Sequence, residues 1–211
     1  MARTSAEYIC NKCRNVTSKW SGKCEACGEW NCIVEGSGSS APPIGRGAKK
    51  TKGQSITLSS LAGQEDQPER STSGIAELDR VLGGGLVPGS ATLIGGDPGI
   101  GKSTLLLQAA AAIGKNAAKK DAKVVYISGE EALAQLRMRA GRLGLSDAPV
   151  ELASETNVAD ICKTLEKEGQ LALVVIDSIQ TMWSPAIEAA PGTVSQVRVA
   201  GQELFHVATR T

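Results

Sequence analysis

From residue 69 onward, apolar stretches alternate with stretches whose apolar positions recur at helical spacing. Strands are expected at 91–94, 123–127, 150–152 and 171–176, each a continuous apolar run rather than an alternating one. Continuous runs are what strands show when helices cover both faces of their sheet. Helices are expected at about 103–113, 131–143, 157–168 and 193–208. An earlier helix carries Ile75, Leu78 and Leu82 in step, with Ser71-Thr72-Ser73 as its cap and Gly83-Gly84-Gly85 as its stop. This β-α-β-α order predicts an α/β domain with a mostly parallel sheet over 69–211. Residues 1–36 lack the rhythm and concentrate cysteines and aromatics. Residues 37–68, rich in Gly, Ser, Pro, Lys and Gln, read as a basic flexible linker, within which 55–61 could add a short strand.

The sharpest chemistry sits between the first expected strand and the helix behind it. Gly96-Asp97-Pro98-Gly99-Ile100-Gly101-Lys102-Ser103, followed by Thr104, matches the phosphate-cradling loop G-x-x-x-x-G-K-S/T. A strand feeding a glycine-rich turn that opens a helix aims backbone N–H groups and the helix dipole at one anion. Lys102 can then reach the β- and γ-phosphates of ATP, and the Ser103 hydroxyl is placed to ligate Mg²⁺. The chain is expected to bind a nucleoside triphosphate.

The strand at 171–176 ends in Asp177, which it delivers to the sheet edge where ligands of open α/β sheets bind. There Asp177 can hold Mg²⁺ opposite Ser103, the Walker B arrangement; the plainer alternative is an Asp capping the next turn. The strand at 123–127 runs through Ser128 into Gly129-Glu130-Glu131. A glutamate there suits the activation of the attacking water, although acids also favour the start of a helix. We divide the pair: Glu130 as base, Glu131 as helix decoration.

Cys10-x2-Cys13 and Cys24-x2-Cys27 form two knuckles separated by ten residues. Two such turns facing each other make a tetrahedral cage of four thiolates suited to Zn²⁺. A segment this short cannot bury enough surface to fold unaided, so the metal would be structural. A redox dithiol pair is the alternative. Cys32 lies outside the spacing and reads as an apolar filler, Cys162 as core.

Composition adds limits. At 211 residues and 41% hydrophobic content the chain has material for one or two domains. A net charge of +1 gives no global nucleic-acid signal. No apolar run follows Met1-Ala2-Arg3-Thr4-Ser5 and none is long enough to span a bilayer, so a reducing cytoplasm without membrane attachment is expected. Charge is concentrated locally instead: Arg46, Lys49, Lys50 and Lys52 occur with no acid between residues 37 and 64, a segment able to contact phosphates. Trp20 and Trp30 could stack on bases, but packing around the zinc cage is the simpler expectation.

Together these strings resemble the bacterial RadA/Sms DNA-repair ATPases over nearly the whole chain. The carriers are the four-cysteine module ending Cys24-Glu25-Ala26-Cys27-Gly28-Glu29-Trp30-Asn31, the stretch 78–90, the phosphate loop at 95–104, Ser128-Gly129-Glu130-Glu131, Ile176-Asp177-Ser178-Ile179-Gln180-Thr181, and 190–198. The resemblance implies a RecA-like core, a homo-hexameric ring, and ATP hydrolysis coupled to single-stranded or branched DNA during branch migration, with a recombinase as a further partner. It assigns Glu130 as the catalytic glutamate and Gln180 as the nucleotide-sensing residue after Walker B. Residues 183–196 fall where the family has a DNA-facing loop, but no Lys or Arg precedes Arg198, and an ordinary connection is the alternative. His206 reads as a surface residue. The family continues into a Lys-Asn-Arg-Phe-Gly motif and a Lon-like domain that this sequence lacks, so the residues are expected to be an N-terminal part whose sheet is incomplete. Two other functions fit the same motifs: a nucleotide- and zinc-binding fragment without turnover, and an ATPase that regulates a protein partner.

Overall fold

The computed structural model describes residues 7–10, 16–17, 19–36 and 69–209. The chain divides into two compact units, Met1–Gln64 and Glu65–Thr211. Cys13, the basic residues of the linker and the strand expected at 55–61 lie outside the described residues.

The first unit holds three short antiparallel strands, β1 (Glu7–Cys10), β2 (Val16–Thr17) and β3 (Ile33–Gly36), in the order β2-β1-β3. Register pairs Tyr8 with Thr17 on one side of β1, and Cys10 with Ile33 on the other. Its buried cluster is Cys10, Cys24, Cys32 and Ile33, with Tyr8 packed against it. Three of those four residues are thiols. An apolar core this small stabilises little by itself.

The second unit is built on a parallel sheet of β4 (Lys123–Ser128), β5 (Glu151–Ser154) and β6 (Leu171–Asp177), in the order β5-β4-β6. Around it lie α1 (Ala76–Val81), α2 (Lys102–Ala117), α3 (Leu133–Arg142), α4 (Val158–Leu165) and α5 (Val194–Ala208). The central strand shows why its sequence is apolar throughout. Successive side chains point to opposite faces of a sheet. Val124 and Tyr126 therefore join Leu107, Ala110, Ile113 and Ala117 of α2, and Leu136 of α3, in one core. Val125 and Ile127 join Val158, Ile161 and Leu165 of α4, and Ala200 and Val207 of α5, in another. One unbroken apolar run thus feeds two cores, each fully buried side chain contributing about 1.5–3 kcal/mol. Capping sets two of the helix starts: the Asn157 side chain accepts from the Ala159 amide at α4, and Thr193 from Gln196 at α5.

Two expectations change. The apolar stretch at 91–94 forms no strand, and Leu93 stands 84% exposed. A strand exists only where a neighbour accepts its ladder hydrogen bonds, and β6 is paired along one edge alone among the described residues. Helix α1 begins at Ala76 with no side-chain cap on Ile75. Ser73 acts from a turn earlier, its hydroxyl accepting from the Ile75 amide at 3.2 Å, while the Asp79 carboxylate reaches back to the Ser73 amide at 2.7 Å. That bond to the Ser73 amide, with the Ser73 side chain second, holds the Asp79 carboxyl below its ordinary range. No helix among the described residues is long and apolar enough to cross a membrane.

Candidate functional site

The parallel register brings the expected acids to one rim. Ser128 at the end of β4 lies opposite Asp177 at the end of β6, and the Gly129 amide donates to the Asp177 carbonyl at 2.9 Å. Just past the two tips the Ser178 hydroxyl donates to Glu130 Oε1 at 2.7 Å, tying the β4 turn to the β6 turn. Gly129 has to be glycine for lack of room: a Cβ there would sit 2.0 Å from Thr181 Oγ1. The Ser128 hydroxyl accepts from the Glu130 and Glu131 amides, which holds the turn in shape.

The two glutamates then part. Glu130 stays on the rim with Ser178, whereas Glu131 pairs with Arg139 on α3. Glu131 Oε2 is buried without a hydrogen-bond partner among the described residues. Beneath the rim, the fully buried Tyr126 hydroxyl donates to Asp177 Oδ2 at 2.5 Å. Burial, then the bond to Asp177, pushes the Tyr126 phenol well above its ordinary range, so it remains a donor.

Helix direction places the phosphate loop. The Ala122 amide, one residue before β4, donates to the Ala117 carbonyl at the last turn of α2, and Leu107 to Ala117 pack with Val124 and Tyr126, so the helix runs back along the strand. The 16 residues of α2 span about 24 Å and the 6 of β4 about 20 Å, so the two elements are of comparable length. Gly101 caps that helix at φ 101°, in the left-handed region that favours glycine. Gly95 to Gly101 are exposed, and Lys102 to Thr104 half-buried. The Lys102 ammonium donates to the Gly96 and Asp97 carbonyls, 2.8 Å each, so the loop curls around its own lysine. Ser103 and Thr104 occupy the first turn of α2, and Pro98, Gly99 and Ile100 form the exposed crest of the loop.

Beyond β6 the chain passes through an exposed Gln180 into the connection to α5. One buried residue organises that connection. Gln196 Oε1 accepts from the Ser184 amide at 2.9 Å, and its Nε2 donates to the carbonyls of Ser184, Ile187 and Ala189 at 3.2, 3.4 and 2.9 Å. Ser184, itself buried, donates to Glu203 at 2.7 Å. The loop is ordered by its own polar anchors. Tyr126 belongs to no motif, and Gln196 lies in the 190–198 string without a role assigned to it. Tyr126 had a signal, as the one aromatic in an aliphatic strand; Gln196 had a weaker one, as an amide in helical step with the buried Val199 and Ala200.

In the ribbon, a tight turn presents the second knuckle: the Cys24 amide donates to the Glu29 carbonyl and the Gly28 amide to the Cys24 carbonyl, 2.8 Å each. The sulfur atoms of Cys10, Cys24, Cys27 and Cys32 all lie within 4.8 Å of one another. A tetrahedral zinc at about 2.3 Å from each sulfur needs edges of about 3.8 Å, and Cys10 Sγ stands 3.7 Å from Cys27 Sγ. The donor set fits a thiophilic cation. Cys32 was expected to fill space; instead it faces the other sulfurs, because it immediately precedes Ile33, the partner of Cys10 in the ladder. Burial first, and then the facing thiols, push the Cys32 thiol up to about 11; a bound cation would reverse that. The tryptophans also depart from expectation, since Trp20 and Trp30 are 61% and 69% exposed. Trp20 is held by its indole N–H on the Ile33 carbonyl at 3.2 Å, and Trp30 lies under the Lys23 ammonium.

Comparison with known proteins places both units in known families. Residues 59–209 match the AAA domain family, and residues 8–35 the rubredoxin metal binding domain. The chain is 50% identical over its whole length to a DNA repair protein RadA of Brucella abortus, and 42% identical over 99% of its length to one of Bacillus subtilis. It covers 46% and 45% of those two proteins, so it spans about half the length of the curated relatives it matches. Among solved structures, an ATPase domain superposes with a TM-score of 0.53 at 18% identity, covering 68% of this chain and 61% of that one.

Proposed function

The chain belongs to the AAA domain family, and on that premise we propose that it is the nucleotide-hydrolysing part of a DNA-repair motor whose turnover responds to single-stranded DNA. The observation that carries the reading is the Glu130–Ser178 bridge beside the Asp177 end of β6. In this proposal the loop amides and Lys102 grip the β- and γ-phosphates. Lys102 does so by exchanging the Gly96 and Asp97 carbonyls for phosphate oxygens. Ser103 and Asp177 are the residues that would hold Mg²⁺, which when bound neutralises charge on the phosphates. Tyr126 occupies one oxygen of Asp177 and so orients the other.

Glu130 is the base. Its carboxylate accepts a proton from the water that attacks the γ-phosphorus, and Ser178 fixes its direction until substrate arrives. In this reading Gln180, exposed on the turn after β6, reports nucleotide state to the loop that Gln196 anchors. The names of the relatives favour DNA repair as the setting; recombination on branched DNA, and a ring as the working form, are part of the proposal. ATP hydrolysis measured with and without single-stranded DNA tests the reading. Stimulation is expected, together with a loss of at least about 100-fold in Lys102→Ala. Turnover that ignores DNA but responds to a protein would favour a regulatory ATPase, and tight binding without turnover a nucleotide-binding fragment.

A further inference from the structure

The sequence pairs its cysteines by spacing, which leaves Cys32 without a task. We propose that Cys32 is a metal ligand, and that Cys10, Cys24, Cys27 and Cys32 form a tetrathiolate able to hold zinc without Cys13. This rests on the ribbon holding a metal and is independent of the nucleotide chemistry.

Three observations carry it. The four sulfurs lie within 4.8 Å of one another, a complete donor set for a tetrahedral cation. Cys32 Sγ is 3.4 Å from Cys10 Sγ, close to the edge of a zinc–sulfur tetrahedron, and the strand ladder enforces that neighbourhood through the Cys10–Ile33 pair. Cys10, Cys24 and Cys32 are buried while Cys27 alone is exposed, so Cys32 belongs to the enclosed side of the cage. A filler has no need to aim its sulfur at three others. As a thiol, Cys32 also donates to the Glu29 carbonyl at 3.2 Å; as a zinc-bound thiolate it gives up that weak bond for a metal–sulfur bond. The segment therefore carries five cysteines, counting Cys13, for four places around one cation.

The test uses the full chain with Cys13→Ser, Cys32→Ser and the double variant, read by zinc content after purification and by the spectrum of the cobalt-substituted protein. Cys13→Ser is expected to retain one zinc per chain and a tetrahedral cobalt–thiolate spectrum, whereas the double variant loses both. Cys32→Ser is expected to surrender zinc to a competing chelator at least tenfold more readily than the unaltered chain. A Cys13→Ser chain as empty as the double variant overturns the role of Cys32. If Cys13→Ser does not fold, the chelator competition decides, and unaltered affinity in Cys32→Ser overturns it equally. An unaltered chain that carries no zinc would remove the ribbon itself, and the proposal with it.

Discussion

The ribbon and the ATPase unit are held together by different physics. In the ribbon, three of the four residues in the buried cluster are cysteines, and the strands run for two to four residues. In the ATPase unit, a central strand buries aliphatic and aromatic side chains into two separate layers of helices. The first has thiols in place of most of an apolar core, a donor set that fits a cation; the second is a sheet with helices packed on both faces. The difference teaches which perturbation each can survive. Losing one ligand set removes most of what orders the ribbon, whereas the larger unit spreads its stability over many contacts and can carry locally costly features at its rim. Glu131 Oε2, buried and without a hydrogen-bond partner among the described residues, is one such feature.

Stripping the metal with a chelator should produce the largest effect, a loss on the order of 10 kcal/mol to the ribbon. Circular dichroism and thiol accessibility would report it, while the thermal transition of the ATPase unit persists; joint collapse of both would break the contrast. Next in size, Glu130→Gln should lower ATP turnover by about 100- to 1,000-fold, equivalent to about 3–4 kcal/mol. Zinc content and melting temperature should hold, as steady-state kinetics beside a melting curve would show. Gln196→Ala then asks how far one amide orders a loop. It leaves the Ser184 amide and several carbonyls without their partner, at about 2–4 kcal/mol in denaturant unfolding, with faster proteolysis within 184–190. Tyr126→Phe is the mildest, about 1–2 kcal/mol from an Asp177 oxygen deprived of its donor. Weaker Mg²⁺ dependence of nucleotide binding should accompany it, and an unchanged magnesium titration would show that the phenol only packs.

Much of the architecture was legible along the chain. The helices at 102–117, 133–142, 158–165 and 194–208 and the strands at 123–128, 151–154 and 171–177 all appear where apolar periodicity calls for them, because burial on one or both faces leaves a local imprint on composition. The segment at 91–94 shows the limit of that imprint: its residues suit a strand, but ladder hydrogen bonds come from a neighbour that composition cannot supply. The same limit applies at the rim. The phosphate loop and Asp177 are local strings visible in the sequence, whereas the separate surroundings of Glu130 and Glu131 are set by contacts with Ser178 and Arg139.

What the sequence determined by itself was features whose cause lies within a few residues: the loop that curls around Lys102, the apolar strand that ends in Asp177, and the tight turn that presents Cys24 and Cys27. The tertiary structure decided what depends on register and helix direction. Pairing Ser128 with Asp177 set Glu130 beside Ser178, and pairing Cys10 with Ile33 drew Cys32 among the sulfurs. Tyr126 came to lie beneath the carboxylate, and Gln196 inside its loop, for the same reason. Such contacts join residues 7 to 51 positions apart, and only the closing of the fold brings them within hydrogen-bonding distance.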